Sequence, residues 1–315
     1  MTNRIEFILE PDRDEEPDTL WKLLRFHGRR LLYNRAIAST LCCATGVGAP
    51  WLIAGHRASL RIVRREVELR LASLPVAFDG YRILFISDIH CRNIGKRERR
   101  LVELVSQTPA DLLLLGGDYA VKFVVSSPEA ALECCRMLAE CREFPDGVAA
   151  VRGNHNEEAL DDLLREQNFM RYLRDTTHVV SRGGAQLAVC GSAYAGITFW
   201  RHYYSQRRLL GAAPPDAFRL LLTHSPNAFP SAAALGFDLA LAGDTHGGQL
   251  RLPGIGAVMR KTDLPRRYTW GLNKWDGMPC YTSAGVGVTG LPARINCPPE
   301  IVRFTLRYAD EWSQL

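Results

Sequence analysis

Residues 81–90 read YRILFISDIH, and residues 111–118 read DLLLLGGD. Each stretch is a run of apolar residues that ends in side chains able to bind a metal ion. Asp88 and His90 follow the first run, and Asp118 follows the second. An apolar run this short, bounded by glycine or polar residues, predicts a buried strand rather than a helix. The two stretches therefore place metal-binding side chains at the ends of strands.

The same pattern occurs three more times along the chain. Residues 147–152, 218–223 and 238–242 are short apolar runs. The metal-capable side chains that follow these runs are Asn154 and His155, then His224, then Asp244 and His246. A single aspartate after a strand is more often a helix cap, and a single histidine is usually a hydrogen-bonded side chain without a metal. Five successive coincidences favour a metal site.

Helical patterns alternate with these runs. Residues 96–105 and 128–143 separate the first three runs, and residues 157–174 follow the third. Such alternation indicates βαβ units and an α/β fold. Residues 66–71 alternate between polar and apolar and predict an edge strand before the first run. Because βαβ units place the carboxyl ends of their strands on one side of the sheet, we expect all the ligands to converge at one rim.

The motifs and their order resemble the calcineurin-like metallophosphoesterase superfamily over about residues 62–306. These motifs are Asp88-x-His90, Gly117-Asp118, Gly153-Asn154-His155, His224 and Gly243-x-x-His246. Residues 243–249 (GDTHGGQ) and 291–300 (LPARINCPPE) are similar to the branch of YkuE- and YaeI-type bacterial phosphodiesterases. The resemblance implies an α/β fold of four layers, an α-β-β-α sandwich. It also implies a metal-dependent hydrolase of phosphoric esters or anhydrides.

The resemblance further implies a role for each ligand. One divalent ion would be held by Asp88, His90 and His246, and a second by Asn154, His224 and residue 244. Asp118 would bridge the two ions, and a hydroxide between them would attack phosphorus. His155 would contact the phosphate or protonate the leaving group, so His155 and Asp118 are the predicted catalytic residues.

The chain departs from the family pattern at two positions. Residue 244 is aspartate where many relatives have histidine, which favours Mn²⁺ while Fe, Zn²⁺ and Mg²⁺ stay open. The alternative is that Asp244 points away and leaves a degraded second site in a binding module without enzymatic activity. Residue 156 is asparagine where an aspartate often orients the histidine before it, so the Asn156 amide oxygen, Glu157 or Glu158 would have to fix His155.

Two basic segments are candidates for substrate binding. Arg92 and Arg97 follow the first metal motif and could recognise a phosphate, although a solvated helix face explains them equally well. Residues 199–208 combine aromatic and basic side chains, including Arg201. This segment is expected to be a substrate cap or a lipid-contacting loop, with a packed surface segment as the alternative.

The N-terminal region differs from the rest of the chain, and we divide the protein into an extension (1–60) and a catalytic domain (61–315). Residues 36–55 carry no formal charge and match the length of a bilayer span, and residues 19–70 carry ten bases against two acids. A basic amphipathic helix over residues 20–31 precedes this uncharged stretch. These features predict a membrane anchor at the cytoplasmic face of the inner membrane. A helical hairpin packed on the catalytic domain and an exported domain are the alternatives.

The anchor and the phosphate chemistry together predict the substrate class. We expect a membrane-associated phosphate diester or diphosphate, for example UDP-2,3-diacylglucosamine cleaved to a lipid monophosphate and UMP. A soluble phosphoprotein or nucleotide phosphatase is the competing hypothesis. The basic excess is concentrated in residues 19–70, around the uncharged stretch, so no nucleic-acid partner is expected. The oligomeric state stays open.

Overall fold

Alternating strands and helices make up the catalytic region. The computed structural model describes residues 48–121, 128–192, 199–309 and 313–314. Its α-helices are α1 (Gly48–Ser59), α2 (Lys96–Ser106), α3 (Pro128–Glu140), α4 (Glu158–Arg165), α5 (Phe199–Ala212) and α6 (Phe229–Ala234). Single 3-10 turns lie at Val76–Phe78, Pro226–Ala228, His246–Gly248 and Arg266–Thr269.

The strands form two large sheets and one small hairpin. They are β1 (Val63–Leu71), β2 (Arg82–Ile86), β3 (Leu112–Leu115), β4 (Val148–Val151), β5 (Arg171–Leu173), β6 (Thr176–Arg182), β7 (Ala185–Gly191), β8 (Phe218–Leu222), β9 (Leu239–Ala242), β10 (Arg251–Leu252), β11 (Gly256–Ala257), β12 (Gly271–Trp275), β13 (Met278–Thr282), β14 (Glu300–Tyr308) and β15 (Ser313–Gln314). The first sheet has the order β15-β1-β14-β2-β3-β4-β5, and the second has the order β12-β13-β9-β8-β7-β6. Strands β10 and β11 pair with each other.

All five apolar runs form strands, but they divide between the two sheets. Strands β2, β3 and β4 are parallel neighbours in the first sheet. Strands β8 and β9 are parallel neighbours in the second. The expectation of one rim on one sheet is therefore wrong. The ligands instead come from the carboxyl ends of strands in both sheets, because two facing sheets can converge at one end.

Three apolar layers hold these elements together. The middle layer joins side chains of both sheets, for example Ile83 and Leu114 with Leu220 and Leu241, all fully buried. The outer layers pack α2, α3 and α4 on the first sheet and α5 and α6 on the second; their buried side chains include Leu101, Leu138, Leu164, Leu209 and Phe229. The predicted α-β-β-α sandwich is confirmed.

Three predicted elements differ from the structure. The helix predicted over 157–174 ends at Arg165, because residues 171–173 instead form β5, which pairs with β4. Strand β1 is longer than predicted and is not an edge strand, since it pairs with β14 along its length and with β15 at its end. The segment 199–208 is no loop: it forms most of α5, which packs on the second sheet.

The predictions for the N-terminal extension fall mostly outside the described residues. The amphipathic helix over 20–31 and the first part of the uncharged stretch 36–55 lie before residue 48, and the remainder belongs to α1. Among the helices that the structure describes, none has both the length and the apolar character needed to cross a bilayer. The boundary at residue 60 stays a prediction. Within the described ranges, the cysteines are free thiols.

Candidate metal centre

Loops at the carboxyl ends of five strands bring the predicted ligands together. Asp88 and His90 follow β2, Asp118 follows β3, and Asn154 and His155 follow β4. From the second sheet, His224 follows β8, while Asp244 and His246 follow β9. All are buried except Asn154 and His155, which are half-buried. The site is thus enclosed by both sheets and opens on the side of Asn154 and His155.

The first group of ligands contains Asp88, His90 and His246. The Nε2 atoms of His90 and His246 lie 3.1 Å apart. The Nε2 atom of His246 lies 3.4 Å from Asp88 Oδ1. Their ligand atoms all lie within 4.8 Å of one another, so one ion could contact all three.

The second group surrounds His224. Its Nε2 lies 3.0 Å from Asn154 Oδ1 and 3.3 Å from Asp118 Oδ2. Asp244 Oδ1 is the outermost member, at 3.9 Å from the same nitrogen. The Asp244 carboxylate therefore faces His224 and does not point away.

Asp118 lies between the two groups. Its Oδ2 is 3.6 Å from His90 Nε2 in the first group, a little farther than it is from His224 Nε2. Its other oxygen accepts a hydrogen bond of 2.7 Å from the backbone N–H of His155. One carboxylate is thus fixed by the backbone and contacts both groups, as a bridging ligand must.

Two buried carboxylate oxygens support the fit to metal. Asp88 Oδ1 and Asp118 Oδ2 have no hydrogen-bond partner among the described residues. A buried carboxylate oxygen without a partner costs free energy unless a cation or a water satisfies it. The other oxygen of Asp88 accepts hydrogen bonds from Ser87 Oγ and from the backbone N–H of Asp244. The unsatisfied oxygens point to the places where cations would bind.

The histidines are oriented for metal binding by backbone carbonyls. His90 Nδ1 lies 3.0 Å from the carbonyl oxygen of Ala120, and His224 Nδ1 lies 2.8 Å from that of Gly116. A carbonyl can only accept, so Nδ1 carries the hydrogen in both rings. When the ring is neutral, this arrangement leaves the Nε2 lone pair directed into the site, as a metal ligand requires.

The ligand loops have strained backbones. Asp88, His90, Asp118, Asp244 and His246 all have φ between 47° and 68°. This left-handed region is uncommon for residues other than glycine, and each instance costs free energy. Such strain persists where the surrounding structure over-determines it, and it collects at functional sites.

Glycines allow the loops to approach each other. A Cβ atom on Gly153 would collide with Asp118, and one on Gly243 would collide with Ser87 and Asp88. Any side chain at these positions would push apart the ligands that the two sheets bring together. The glycines of the sequence motifs are therefore required by close packing at the site.

Burial and neighbouring charges strongly shift the pKa values of the side chains in the site. Burial raises the pKa of Asp88 to about 6. Burial lowers the pKa of His90 to about 3. Burial also opposes protonation of His224, but the carboxylates of Asp118, Asp244 and Asp88 outweigh it and raise its pKa to about 10. In the protein without metal, His224 therefore holds the proton that balances the carboxylates.

The contacts that position His155 differ from the predicted contact with the Asn156 amide oxygen. The Asn156 side-chain oxygen accepts from the backbone N–H of Tyr119, and so it does not orient His155. Glu157 and Glu158 are exposed. The ring of His155 packs edge-on against His90 with 4.9 Å between centroids. The backbone contact with Asp118 and this ring contact position His155, so the predicted role for Asn156 is wrong.

The predicted substrate arginines lie in different surroundings. Arg97 pairs with Glu98 and donates to the carbonyl oxygens of Ile89 and His90, which supports the ligand loop after β2. Arg92 is exposed on that loop, and Arg201 is exposed on α5. Substrate binding by these three residues stays a prediction.

Two basic side chains that lie beside the site have no role predicted from the sequence. Arg294 is fully buried, lies 3.5 Å from His246 Nδ1, and donates to the carbonyl oxygen of Ala284 at 2.7 Å. Lys261 donates to Thr289 Oγ1, and its charge lowers the pKa of both His155 and His246, secondary to burial. Arg294 stood within the quoted stretch 291–300, which was the signal available for it. Lys261 stood in no motif.

Comparisons with known proteins agree with this geometry. The profile of the calcineurin-like phosphoesterase family matches residues 81–248, just over half of the chain. The chain is a calcineurin-like phosphoesterase. The match spans the ligand loops from Asp88 to His246, so the site described above lies within the family's own domain.

This phosphoesterase aligns with individual relatives over nearly the whole length of those relatives. It is 28% identical over 289 residues to the phosphodiesterase YaeI of Escherichia coli, covering 88% of this chain and 98% of YaeI. It is 23% identical over 285 residues to the uncharacterized metallophosphoesterase YkuE of Bacillus subtilis, covering 88% of this chain and 95% of YkuE. Among solved structures, the E. coli phosphoesterase Yfce matches with a TM-score of 0.34 and 18% identity, over 65% of this chain and 80% of that one.

Membership of this family establishes the reaction class. Calcineurin-like phosphoesterases are metal-dependent hydrolases of phosphoric esters, and the residues described here could hold metal ions. The predicted enzyme class is therefore confirmed.

Proposed function

We propose that this phosphoesterase hydrolyses a phosphate diester or diphosphate with two divalent ions, one on each side of Asp118. The observation that carries this proposal is the unpartnered Oδ2 of Asp118, which lies between His90 Nε2 and His224 Nε2. Two ions, when bound, would neutralise the phosphoryl oxygens and lower the pKa of a water between them. The catalytic residues are Asp118 and His155.

The charge of the site favours a diester over a monoester. Asp88, Asp118 and Asp244 carry three negative charges, against four positive charges on two divalent ions, while Asn154 and the histidines are neutral as ligands. The ions and the carboxylates alone would leave a formal excess of one positive charge, and a hydroxide between the ions would cancel it. A diester carries one negative charge and a monoester about two near neutral pH. The name of the relative YaeI, a phosphodiesterase, supports the same choice.

The protein's own residues position the metal ligands and donate hydrogen bonds to the substrate. The hydrogen bond from the His155 N–H fixes the Asp118 carboxylate, so the spacing of the two groups does not depend on a mobile side chain. Burial lowers the pKa of His155, so its ring is neutral near pH 7. A neutral imidazole donates through one ring nitrogen, and we assign His155 to hydrogen-bond the phosphoryl or leaving-group oxygen.

The donor set favours Mn²⁺. Asp88, Asp118, Asp244 and Asn154 supply oxygen atoms, which suit hard cations, and three histidines supply nitrogen atoms. Replacing an imidazole by Asp244 moves the second group towards oxygen ligands. Mn²⁺ accepts both kinds of ligand, whereas Zn²⁺ suits nitrogen and sulfur better.

We infer that the substrate is associated with a membrane. The uncharged stretch 36–55, the basic excess over 19–70 and the resemblance to YkuE- and YaeI-type proteins support this inference. UDP-2,3-diacylglucosamine, with its diphosphate and two acyl chains, is the candidate, and the products would be a lipid monophosphate and UMP. The cytoplasmic face of the inner membrane is the proposed location.

A metal-reconstitution assay tests the proposal. The full chain is stripped with a chelator and reloaded with Mn²⁺, Mg²⁺ or Zn²⁺, and bound metal is counted by mass spectrometry. Turnover is measured with bis-p-nitrophenyl phosphate, p-nitrophenyl phosphate and UDP-2,3-diacylglucosamine in mixed micelles. We expect about two Mn²⁺ per chain, faster turnover of the diester than of the monoester, and release of UMP.

Each part of the proposal has its own contrary result. One ion per chain would contradict the two-metal site, and faster monoester turnover would contradict the charge argument. Equal rates on UDP-2,3-diacylglucosamine and on the soluble diester bis-p-nitrophenyl phosphate would contradict the lipid substrate and still support a phosphodiesterase.

A further inference from the structure

The small hairpin of β10 and β11 exposes large apolar side chains. Leu252 is 46% exposed, Ile255 55% and Val258 42%. The turn between the strands reads PGI (residues 253–255), so Ile255 lies within the turn. Isolated exposed apolar residues are ordinary, but three within seven residues of one hairpin form a patch that favours a partner.

A fourth exposed apolar side chain lies on the neighbouring helix. Residues 292–296 join α1 to the hairpin: the N–H of Arg251 donates to Ile295 O at 3.0 Å, and the N–H of Arg294 donates to Gly55 O at 2.9 Å. Ile53 of α1 is 55% exposed. We call the exposed residues Ile53, Leu252, Ile255 and Val258 the hairpin face.

The hairpin face is attached to the metal centre. The Arg251 guanidinium donates to the carbonyl oxygen of Gly247, the residue after His246. A Cβ atom on Gly248 would collide with Ala257 of β11, so hairpin and ligand loop are in close contact. A partner bound at the hairpin face would therefore lie next to the site.

The segments that carry this face have charges of one sign. Residues 53–61, 250–262 and 289–297 contain no aspartate or glutamate. They contain Arg57, Arg61, Arg251, Arg260 and Lys261, together with the buried Arg294. Exposed apolar side chains on segments that carry only basic charges match an anionic bilayer, in which apolar side chains enter the interface and basic ones meet the head groups.

We propose that the hairpin face docks on an anionic lipid bilayer, with Leu252 and Ile255 inserted at the interface. This inference rests on the proposed membrane-associated substrate and deepens it, since it names the surface that brings the site to the lipid. A bilayer fits better than a protein partner because the apolar side chains lie on a short hairpin, and residues 53–61, 250–262 and 289–297 carry bases and no acids.

Vesicle partitioning of the full chain tests the docking. Vesicles of phosphatidylcholine with about 30% phosphatidylglycerol are compared with phosphatidylcholine alone, for the unaltered protein and for the Leu252→Ser/Ile255→Ser variant. Val76→Ser is the matched control, because Val76 is 68% exposed and lies before β2, at the end of the strand opposite to Asp88. We expect the double variant to partition at least tenfold more weakly onto anionic vesicles and the control to change less than twofold.

A depth measurement separates the hairpin from any contribution of residues 1–47. In the Ile255→Trp variant, the added tryptophan emission, taken as the difference from the unaltered protein, should be quenched by lipids brominated near the head group. Absence of extra quenching would overturn the proposal, as would unchanged partitioning of the double variant. An unaltered protein that binds neither vesicle would also overturn it, and would leave the hairpin face as a surface for another protein.

Failure of the docking and failure of the proposed chemistry can be told apart. The same preparations are assayed with soluble bis-p-nitrophenyl phosphate, whose hydrolysis does not need a bilayer. The double variant should retain this activity, since Leu252 and Ile255 are not part of the site. Lost docking with retained hydrolysis supports the proposal, whereas loss of both would contradict the assignment of these residues to docking alone.

Discussion

Asp118 Oδ2 lies 3.3 Å from His224 Nε2, although the two residues follow strands of different sheets. The contact joins the first sheet to the second at their carboxyl ends. It is made by a carboxylate oxygen that no other described group satisfies. The packing of the two sheets therefore brings the two halves of the metal centre together.

The bridging role of Asp118 predicts the largest loss of activity in the site. Asp118→Asn keeps the shape and the contact with the His155 N–H but removes a negative charge between the two ions. We expect kcat/KM on bis-p-nitrophenyl phosphate to fall at least a hundredfold, since such charge stabilisation is worth several kcal/mol. Metal analysis should show fewer than two ions per chain. Activity within tenfold of the unaltered protein would contradict the bridge.

The shifted pKa values predict the pH dependence of metal uptake. His224, whose pKa is raised to about 10 in the metal-free protein, holds a proton at pH 7 that it must lose to bind metal. Asp88, with its pKa raised to about 6, is mostly ionised at pH 7 and largely protonated near pH 5. Affinity should therefore fall as pH falls from 7 to 5, because more protons must be displaced.

Calorimetry checks the proton count. Mn²⁺ is titrated into the metal-free protein in two buffers with different ionisation enthalpies. We expect release of about one proton at pH 7, and of more near pH 5. Identical heats in the two buffers at pH 7 would show that His224 is not protonated before the metal binds.

The aspartate at position 244 predicts both metal preference and substrate choice. Asp244→His would remove one negative charge, so the formal charge of the loaded site would rise by one unit. We expect the preference to move from Mn²⁺ towards Zn²⁺ and the ratio of monoester to diester turnover to rise about tenfold. Metal titrations and the two nitrophenyl substrates measure these effects. An unchanged ratio and preference would show that Asp244 does not contact the second ion.

The sequence predicts the ligands better than it predicts their geometry. Strand ends and ligand residues are signalled by short stretches of sequence. The pattern of apolar runs therefore predicts five strands and the side chains that follow them: β2, β3, β4, β8 and β9. Which sheet each strand joins is a non-local choice, so the two-sheet convergence followed only from the family resemblance. The helix expected over 157–174 failed for the same reason: residues 171–173 pair with β4, and that pairing overrides local helical preference.

The strained backbone positions and the buried arginine that support the site cannot be predicted from the neighbouring sequence. Positive φ at Asp88 or His246 cannot be inferred from residues that ordinarily avoid it. Arg294 reads as a surface cation, yet the structure buries it among the carbonyl oxygens of residues 284–287. Such roles depend on a tertiary environment that composition and periodicity do not encode.

The burial of Arg294 predicts a stability effect with a matched control. Its guanidinium donates to the carbonyl oxygens of Ala284 and Gly285, and Gly285 packs against Asp88. Arg294→Met would remove the guanidinium donor from Ala284 O and leave Gly285 O with only the backbone N–H of Glu300. This loss should lower the free energy of unfolding by about 2–4 kcal/mol. Arg100→Met, at an exposed pair with Glu103, should cost less than about 0.5 kcal/mol. Equal denaturation midpoints for the two variants would contradict the structural role of Arg294.

His155 has two possible relations to the metals, and one variant separates them. The His155 ring lies close enough to His90 and Asp118 for the three residues to hold an ion. However, His155 is half-buried at the open side of the site, and its backbone N–H donates a hydrogen bond to Asp118. If His155 acts on the substrate, His155→Ala removes a hydrogen bond made to the phosphoryl or leaving-group oxygen and leaves the metal ligands in place. We expect kcat to fall about 10²–10³-fold with about two ions still bound. If His155 were a ligand, metal content would drop and added Mn²⁺ would restore part of the activity. The backbone N–H that holds Asp118 is unaffected by the substitution, so loss of the bridge cannot explain the result.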